Sequence, residues 1–167
     1  MEYEITIRKI KYEDIEAIVD INIKDWKMAY KGIIDQSTLD NLDRNIKIEK
    51  WRKHYNIGNV IVAEKENEIL GFCRYSEKTE TAECDCEIIA LYVDYENHEH
   101  GVGRKLMEHA INDLKEKGKI NMIIWCLEKN IEARKFYEKM GRMQIKETNI
   151  FSIDDREYVE VGYKYKL

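Results

Sequence analysis

The chain has 167 residues, of which 44% are hydrophobic and 37% charged, and its formal net charge at pH 7 is −5. This length and composition predict one globular domain, residues 1–167, that can bury a hydrophobic core. The acidic balance argues against a nucleic-acid partner and is compatible with an amine, and no apolar run approaches the roughly 20 residues that cross a membrane.

The first third of the chain predicts one strand followed by helices. Residues 4–9 alternate apolar and polar side chains, which indicates a strand, and residues 14–28 carry apolar side chains at helical spacing. Ser37 and Thr38 are typical of a helix N-cap, so one broken helix or two short helices are expected up to Tyr55.

The middle of the chain predicts three strands. Residues 60–63 and 69–75 are strand-like and flank a polar turn, which indicates an antiparallel hairpin. Residues 84–93 then form a longer predicted strand. The chain contains no proline, so the ends of its elements must be read from capping residues and glycines.

The last third alternates helices and strands. Residues 103–117 form the clearest amphipathic helix, and Gly118 is expected to end it. The remaining predicted elements are a strand at 120–127, a helix at 131–140 that ends at Gly141, and strands at 143–151 and 157–165. The resulting order is β, α, α, β, β, β, α, β, α, β, β, which predicts an α/β domain with a mixed sheet.

The sequence His98-Glu99-His100-Gly101-Val102-Gly103-Arg104 lies between a predicted strand and the strongest predicted helix. Glycines let a ligand approach the backbone, and the free N–H groups and dipole of a helix start favour a phosphate. Arg104 adds a positive charge. The alternative is an ordinary tight turn, and the dinucleotide fingerprint and the P-loop both fit poorly.

This turn resembles the coenzyme A motif of the GNAT N-acetyltransferase superfamily, in which Gln or Arg is followed by two spaced glycines. His98 stands where Gln or Arg is usual, and Gly101 and Gly103 occupy the glycine positions. A second stretch, residues 130–141, is similar to the family's other signature, Asn-x-x-Ala-x-x-Phe-Tyr-x-x-x-Gly, at every typed position. The two signatures occur in the family's order, so the chain is identified as a member.

The resemblance implies the GNAT fold, a central mixed, mostly antiparallel sheet of about seven strands with splayed central strands, flanked by about four helices. It implies acetyl-CoA as cosubstrate and no metal. The main chain of Leu91 and Val93 would then hold the pantetheine arm, and amides of the glycine turn would hold the pyrophosphate. The residues expected to bind the coenzyme are Leu91, Tyr92, Val93, His98, Glu99, His100, Gly101, Val102, Gly103, Arg104, Asn130, Ala133, Phe136 and Tyr137.

Two residues are the predicted catalytic groups. The resemblance puts Tyr137 beside the coenzyme sulfur, where its phenol would protonate the departing thiolate. Without the motif, Tyr137 would be one more packed aromatic among 11 tyrosines. Glu87 matches the position of a general-base glutamate in histone-type members. Its alternative is a solvent-facing strand residue, with the amine proton relayed through water.

Three aromatic residues are candidates for the acceptor site. Trp26, Tyr30 and Tyr92 could attract an ammonium group with their ring faces, and Asp25 is a nearby cation partner. The alternative for Trp26 is a core residue of the first helix.

Metal and disulfide roles are not predicted. Three adjacent candidate ligands, His98, Glu99 and His100, seldom enclose one ion. The cysteines lack a disulfide pattern, and Cys84 and Cys86 are interpreted as packing residues two apart in a strand. Together with a first segment that does not resemble a signal peptide, this predicts a cytoplasmic protein. A homodimer is expected from the family alone.

The predicted activity is acetyl transfer from acetyl-CoA, by direct attack, to a primary amine of a small molecule such as a polyamine, an amino acid or an antibiotic-like amine. One alternative acceptor is a peptide or protein N-terminus or lysine. A nucleic-acid acceptor would require a basic stripe that this acidic chain lacks. A non-catalytic coenzyme A binding module is the alternative of another class.

Overall fold

A seven-stranded sheet runs through the centre of the protein in a computed structural model that describes residues 4–98, 100–141 and 143–167. The strands are β1 Thr6–Lys9, β2 Asn59–Lys65, β3 Glu68–Ser76, β4 Cys86–Val93, β5 Asn121–Leu127, β6 Met143–Ile153 and β7 Arg156–Lys166. The α-helices are α1 Ile15–Ala29, α2 Gln36–Asp40, α3 Arg44–His54, α4 Val102–Glu116 and α5 Ile131–Lys139. The predicted element order is confirmed, with two short helices between α1 and β2.

The strands lie in the order β1-β2-β3-β4-β5-β7-β6. Within the described chain, β4 and β5 form the parallel pair and every other neighbouring pair is antiparallel. A parallel pair needs a crossover connection, and α4 supplies it. The predicted mixed, mostly antiparallel sheet is therefore confirmed.

Strands β4 and β5 separate halfway along their length. Their pairing covers Cys86 to Ile88 and ends opposite Ile124. On the other side of β4, Tyr75 pairs with Ile88 and Arg74 with Ala90, so Ile89 is the extra residue of a bulge. A bulge bends its strand and increases the local twist. Beyond Ile89, β4 therefore has β3 on one side and an open slot on the other, as the resemblance implied.

The two faces of the sheet are covered by different helices. Leu106, Met107 and Leu114 of α4 are fully buried against one face, together with Tyr163 and Tyr165 of β7. This confirms the amphipathic pattern predicted for residues 103–117. Substituting one of these helix residues with alanine would cost about 2–5 kcal/mol. The packed α4 therefore gives the turn before it a rigid support.

Helices α1 and α3 cover the opposite face. Ile18 and Ile21 of α1 pack on Val62 and Phe72 of the sheet, and Trp51 of α3 contacts the same cluster. None of the helices in the described residues is long and apolar enough to cross a membrane.

Two local predictions were wrong. The N-cap of α2 is Asp35, whose side chain accepts a hydrogen bond from the Ser37 amide, and not Ser37 or Thr38. A carboxylate caps a helix in the same way as a hydroxyl, so the neighbouring Ser and Thr obscured the choice. Cys84 precedes β4 in a turn, so Cys84 and Cys86 do not share a strand.

Candidate active site

A pocket of about 760 Å³ occupies the slot between β4 and β5. It begins at the turn before α4, passes the separated strands and α5, and ends among side chains of α1, β6 and β7. Its walls include Asp25, Trp26, Tyr30, Ile89, Leu91, Tyr92, Val93, His98, His100, Gly101, Gly103, Arg104, Trp125, Leu127, Asn130, Glu132, Ala133, Phe136, Tyr137, Phe151 and Glu160. Most of the residues predicted for the site therefore share one cavity.

The start of α4 presents amides to this pocket that have no backbone acceptor among the described residues. Gly101 is the N-cap and has φ +74°, a left-handed conformation that favours glycine. The amide of Lys105 donates the first helical hydrogen bond, to the Gly101 carbonyl at 3.1 Å. The amides of Val102, Gly103 and Arg104 come before Lys105 in the chain and point out of the helix start. The side chain of Val102 is fully buried in the core. Val102 can therefore contact a ligand through its amide and not its side chain.

His98 connects this turn to α1. Its Nε2 lies 2.9 Å from the Val93 carbonyl oxygen and 2.9 Å from Asp25 Oδ1. The N–H is aligned with the carbonyl, and Asp25 Oδ1 is buried without a hydrogen-bond donor, so the carboxylate acts on the ring through its charge. Asp25 raises the pKa of His98. The imidazole thus joins the site, although part of its bonding capacity is used within the protein.

The other polar residues of the turn are more exposed. Arg104 pairs with Glu108 at 2.9 Å, one helical turn further on, and its side chain is 64% exposed. His100 is exposed and lines the pocket. Glu99, a predicted coenzyme contact, lies outside the described residues. An exposed arginine at this end of the pocket can exchange Glu108 for an anionic ligand.

The far half of β4 forms one wall of the slot. Leu91 and Val93 turn their side chains towards the core beneath α4, whereas Tyr92 points to the α1 face. All three line the pocket. Since β5 has left β4 at this level, backbone groups on that edge of β4 have no strand partner within the described part of the chain.

Helix α5 forms the opposite wall. Asn130 is its N-cap, with Oδ1 accepting a hydrogen bond from the Ala133 amide at 3.2 Å. Ala133 and Phe136 pack against the core and line the pocket. A Cβ at Gly103 would lie 3.6 Å from Phe136 Cζ, so the start of α4 and the middle of α5 approach closely.

Tyr137 is the buried member of α5, with 7% of its surface exposed. Its ring lies 5.5 Å from that of Phe136 and 5.7 Å from that of Tyr163. Burial raises the pKa of the phenol well above its ordinary value. Tyr137 therefore remains protonated at neutral pH and can donate a proton into the pocket that it lines.

Aromatic side chains surround the end of the pocket beyond Tyr137. The Trp26 ring lies 5.1 Å from Tyr30 and 6.0 Å from Phe151, in both cases edge to face. Trp26 Nε1 donates a hydrogen bond to the Tyr92 hydroxyl at 2.9 Å. The structure thus brings together Trp26, Tyr30 and Tyr92, the three predicted acceptor-site residues.

Glu87 lies near this end without forming part of the described pocket walls. It is half-buried on β4, and its Oε2 accepts a hydrogen bond from Thr79 Oγ1 at 2.9 Å. Burial raises the pKa of its carboxyl group. A raised pKa is in the direction that a general base requires, and the hydrogen bond with Thr79 connects the carboxylate to a neighbouring loop.

Glu160 and Trp125 line the pocket and were missed from the sequence. Both point to the α1 face, because Glu160 pairs with Leu127 and Trp125 with Gly162 in the β5–β7 ladder. Burial, followed by the charge of Glu87, raises the pKa of Glu160. The one available signal was the alternation of β7, in which Glu160 is out of phase with buried Val161 and Tyr163.

Comparison with protein families and sequences gives a consistent result. Residues 17–141 match the Acetyltransferase (GNAT) family. The chain is 27% identical to the N-acetyltransferase YuaI of Bacillus subtilis (strain 168) over 95% of this chain and 91% of that protein. It is 25% identical to spermidine N(1)-acetyltransferase of Thermoplasma acidophilum over 82% of this chain and 87% of that protein.

Solved structures share the fold. PaiA N-acetyltransferase of Thermoplasma acidophilum, in complex with coenzyme A, superposes with a TM-score of 0.75 at 20% identity, covering 98% of this chain and 99% of that chain. YncA of Salmonella typhimurium, with acetyl-CoA, has a TM-score of 0.71 at 17% identity, covering 98% of this chain and 94% of that chain. With both signatures and the splayed strands in place, the chain belongs to the GNAT family of N-acetyltransferases.

Proposed function

We propose that this enzyme transfers acetyl from acetyl-CoA to the primary amine of a small molecule. The observation that carries the proposal is the continuity of one pocket. It joins the amides of the first turn of α4, the phenol of Tyr137, and an end lined by Trp26, Tyr30 and Glu160. A pyrophosphate, a thioester and an amine would meet such groups in that order.

The coenzyme would lie along the slot. The amides of the first turn of α4 and the positive end of its dipole favour a pyrophosphate, with His98 and Arg104 adding charge. The edge of β4 at Leu91 and Val93 offers backbone hydrogen bonds to the amides of pantetheine. Bound coenzyme A in the PaiA complex and acetyl-CoA in the YncA complex support this use of the shared fold.

The chemical step is attack of a neutral amine on the thioester carbonyl carbon. The C–N bond forms, the C–S bond breaks, and the departing thiolate takes a proton from a donor. Tyr137 is the proposed donor, because its phenol is neutral and lines the slot. Glu87 stays the sequence-based candidate for the base, acting directly or through water.

Side chains at the acceptor end favour a small cationic acceptor. Rings of Trp26, Tyr30 and Phe151 stand edge to face around it, and a carboxylate lies beside them. Aromatic faces and a carboxylate both attract an ammonium ion. The 25% identity to a spermidine acetyltransferase supports an aliphatic amine of the same kind.

Turnover with a panel of acceptors tests this function. Purified protein is incubated with acetyl-CoA and, separately, a polyamine, an amino acid, an aminoglycoside and a peptide with free N-terminal and lysine amines, and released thiol is measured. We expect a small amine to give the highest kcat/KM. A higher kcat/KM with the peptide would mean that the acceptor is a peptide amine and not a small molecule. Coenzyme binding without turnover on any amine would contradict the proposed function.

Three further expectations stay predictions. We propose a cytoplasmic location, with the four cysteines reduced, since all are free in the structure. We expect one folding unit over residues 1–167 and a homodimer. The mass measured in solution by light scattering distinguishes a monomer from a dimer.

A further inference from the structure

The carboxylate of Glu160 lies in the acceptor end of the pocket on a rigid strand. Glu160 pairs with Leu127 of β5 on one side and with Asn149 of the edge strand β6 on the other, so β7 is the second strand from that edge of the sheet. Its side chain is half-buried on the α1 face, where it shares the pocket wall with Trp125 and Phe151. The two neighbouring strands fix the backbone at Glu160, and a site built on a strand is positioned more precisely than one on a loop.

Other carboxylates along the pocket wall already have partners or lie elsewhere. Asp25 is 2.9 Å from His98, and Glu96 is 3.2 Å from Lys24. Glu132 is exposed at the start of α5. Within the described residues, Glu160 makes no ion pair or side-chain hydrogen bond. The acceptor end therefore holds a partly desolvated negative charge that a bound cation would neutralise.

Three acidic groups interact with Glu160 within the part of the chain that the structure describes. They are the carboxylate of Glu87 and the phenol of Tyr92 on β4, and the thiol of Cys126 on β5. Burial and the like charge of Glu87 raise the pKa of Glu160. A carboxylate with a raised pKa is a better proton acceptor than one in water, and a cation nearby is favourable for it.

We propose that Glu160 binds the ammonium group of the acceptor and removes its proton before attack. This inference rests on the proposed acetyltransferase function and assigns the amine site within it. The acceptor is a primary aliphatic amine that is cationic at neutral pH, with its nitrogen between Glu160 and the thioester.

Protons and bonds balance in this step. The ammonium ion gives one proton to the Glu160 carboxylate, and the neutral nitrogen attacks the carbonyl carbon. Collapse of the tetrahedral adduct breaks the C–S bond, and Tyr137 protonates the thiolate. The adduct nitrogen loses its second proton through water, which restores the Tyr137 phenol, and the Glu160 proton passes to solvent. The products are the acetamide, coenzyme A thiol and one released proton.

Glu160→Gln is the matched test, because it removes the charge and keeps the size. Glu157→Gln is the control: it makes the same change on the same strand at an exposed position. Butylamine is the probe. With Glu160→Gln we expect kcat/KM to fall by about 10²-fold, within the usual effect of a general base. Glu157→Gln should stay within twofold of the unsubstituted enzyme.

Two additional readouts separate charge chemistry from damage to the fold. The unfolding midpoint and the acetyl-CoA affinity should not fall in Glu160→Gln. The substitution removes a half-buried carboxylate that has no cation partner, so no stabilising contact is lost. The difference in kcat/KM between Glu160→Gln and the unsubstituted enzyme should become smaller as pH rises, because more of the butylamine is then neutral. An amine that is already neutral at the assay pH should show a much smaller defect than butylamine.

Calorimetric titration of butylamine into the enzyme–coenzyme A complex makes the result independent of turnover. We expect binding to weaken at least about tenfold in Glu160→Gln and not in Glu157→Gln. If Glu160→Gln leaves both the amine affinity and kcat/KM unchanged, the proposal is overturned. It is also overturned if Glu87→Gln loses both quantities while Glu160→Gln retains them. If unsubstituted enzyme turns over no amine, the proposed function fails, while the titration still decides whether Glu160 binds ammonium.

Discussion

Nε2 of His98 lies 2.9 Å from Oδ1 of Asp25, so the turn before α4 is linked by charge to the last turns of α1. The same nitrogen contacts the Val93 carbonyl at the end of β4. One imidazole therefore joins the turn before α4 to the helix that carries Trp26 and has Tyr30 as its C-cap. A change in its protonation affects how these elements are held together.

Asp25→Asn tests this link through pH. Asp25 raises the pKa of His98 above its ordinary value of 6.5. The pair therefore stabilises the fold fully below that value, and its contribution is lost as pH rises through the raised pKa. We expect Asp25→Asn to lower the free energy of unfolding by about 1 kcal/mol at pH 5.5 and by much less at pH 8.5, measured by urea denaturation.

Asp20→Asn is the control for this prediction. Asp20 lies on the same helix and pairs with Arg44 at 2.6 Å. An arginine does not titrate between pH 5.5 and 8.5, so the effect of Asp20→Asn should be the same at both values. Equal losses at both pH values for Asp25→Asn would contradict the charged His98–Asp25 pair.

Tyr137→Phe tests the proton donor. Removing the hydroxyl should lower kcat by about 10²-fold, because the thiolate then leaves without a proton. Acetyl-CoA affinity and the unfolding midpoint should stay nearly unchanged, since the ring and its contacts with Phe136 and Tyr163 are retained. Steady-state kinetics and calorimetric titration measure the two quantities. Tyr12→Phe, at an exposed tyrosine, provides the control, and an unchanged kcat in Tyr137→Phe would remove the assignment.

Gly101→Ala tests the backbone of the turn. Gly101 has φ +74°, where a residue with a Cβ is strained by about 1–2 kcal/mol. We expect thermal unfolding at a lower temperature and weaker coenzyme binding. Gly103→Ala is the comparison, because its Cβ would meet Val93 and Phe136 only at 3.5 and 3.6 Å, and its unfolding midpoint should be retained. Equal stability of the two variants would argue against strain at Gly101.

Local signals in the sequence predicted most of the fold. The spacing of apolar residues in 103–117 identified α4, because side chains three or four residues apart lie on the same face of a helix. Gly118 and Gly141 end α4 and α5 as expected, and both have φ +78°. The pair of coenzyme signatures identified the family, since each is a short contiguous stretch. Asp35 shows the limit of such reading, because several neighbouring side chains could have capped the same helix.

Tertiary structure alone decided how the site is completed. Glu160 reaches the pocket because β7 inserts beside β5, and Asp25 meets His98 because α1 packs across the end of β4. The residue types and motifs determined which chemistry the chain can perform. Which distant side chains share its pocket depends on strand order, a bulge at Ile89 and helix packing, and these are set by the sum of many weak contacts between residues far apart in the chain.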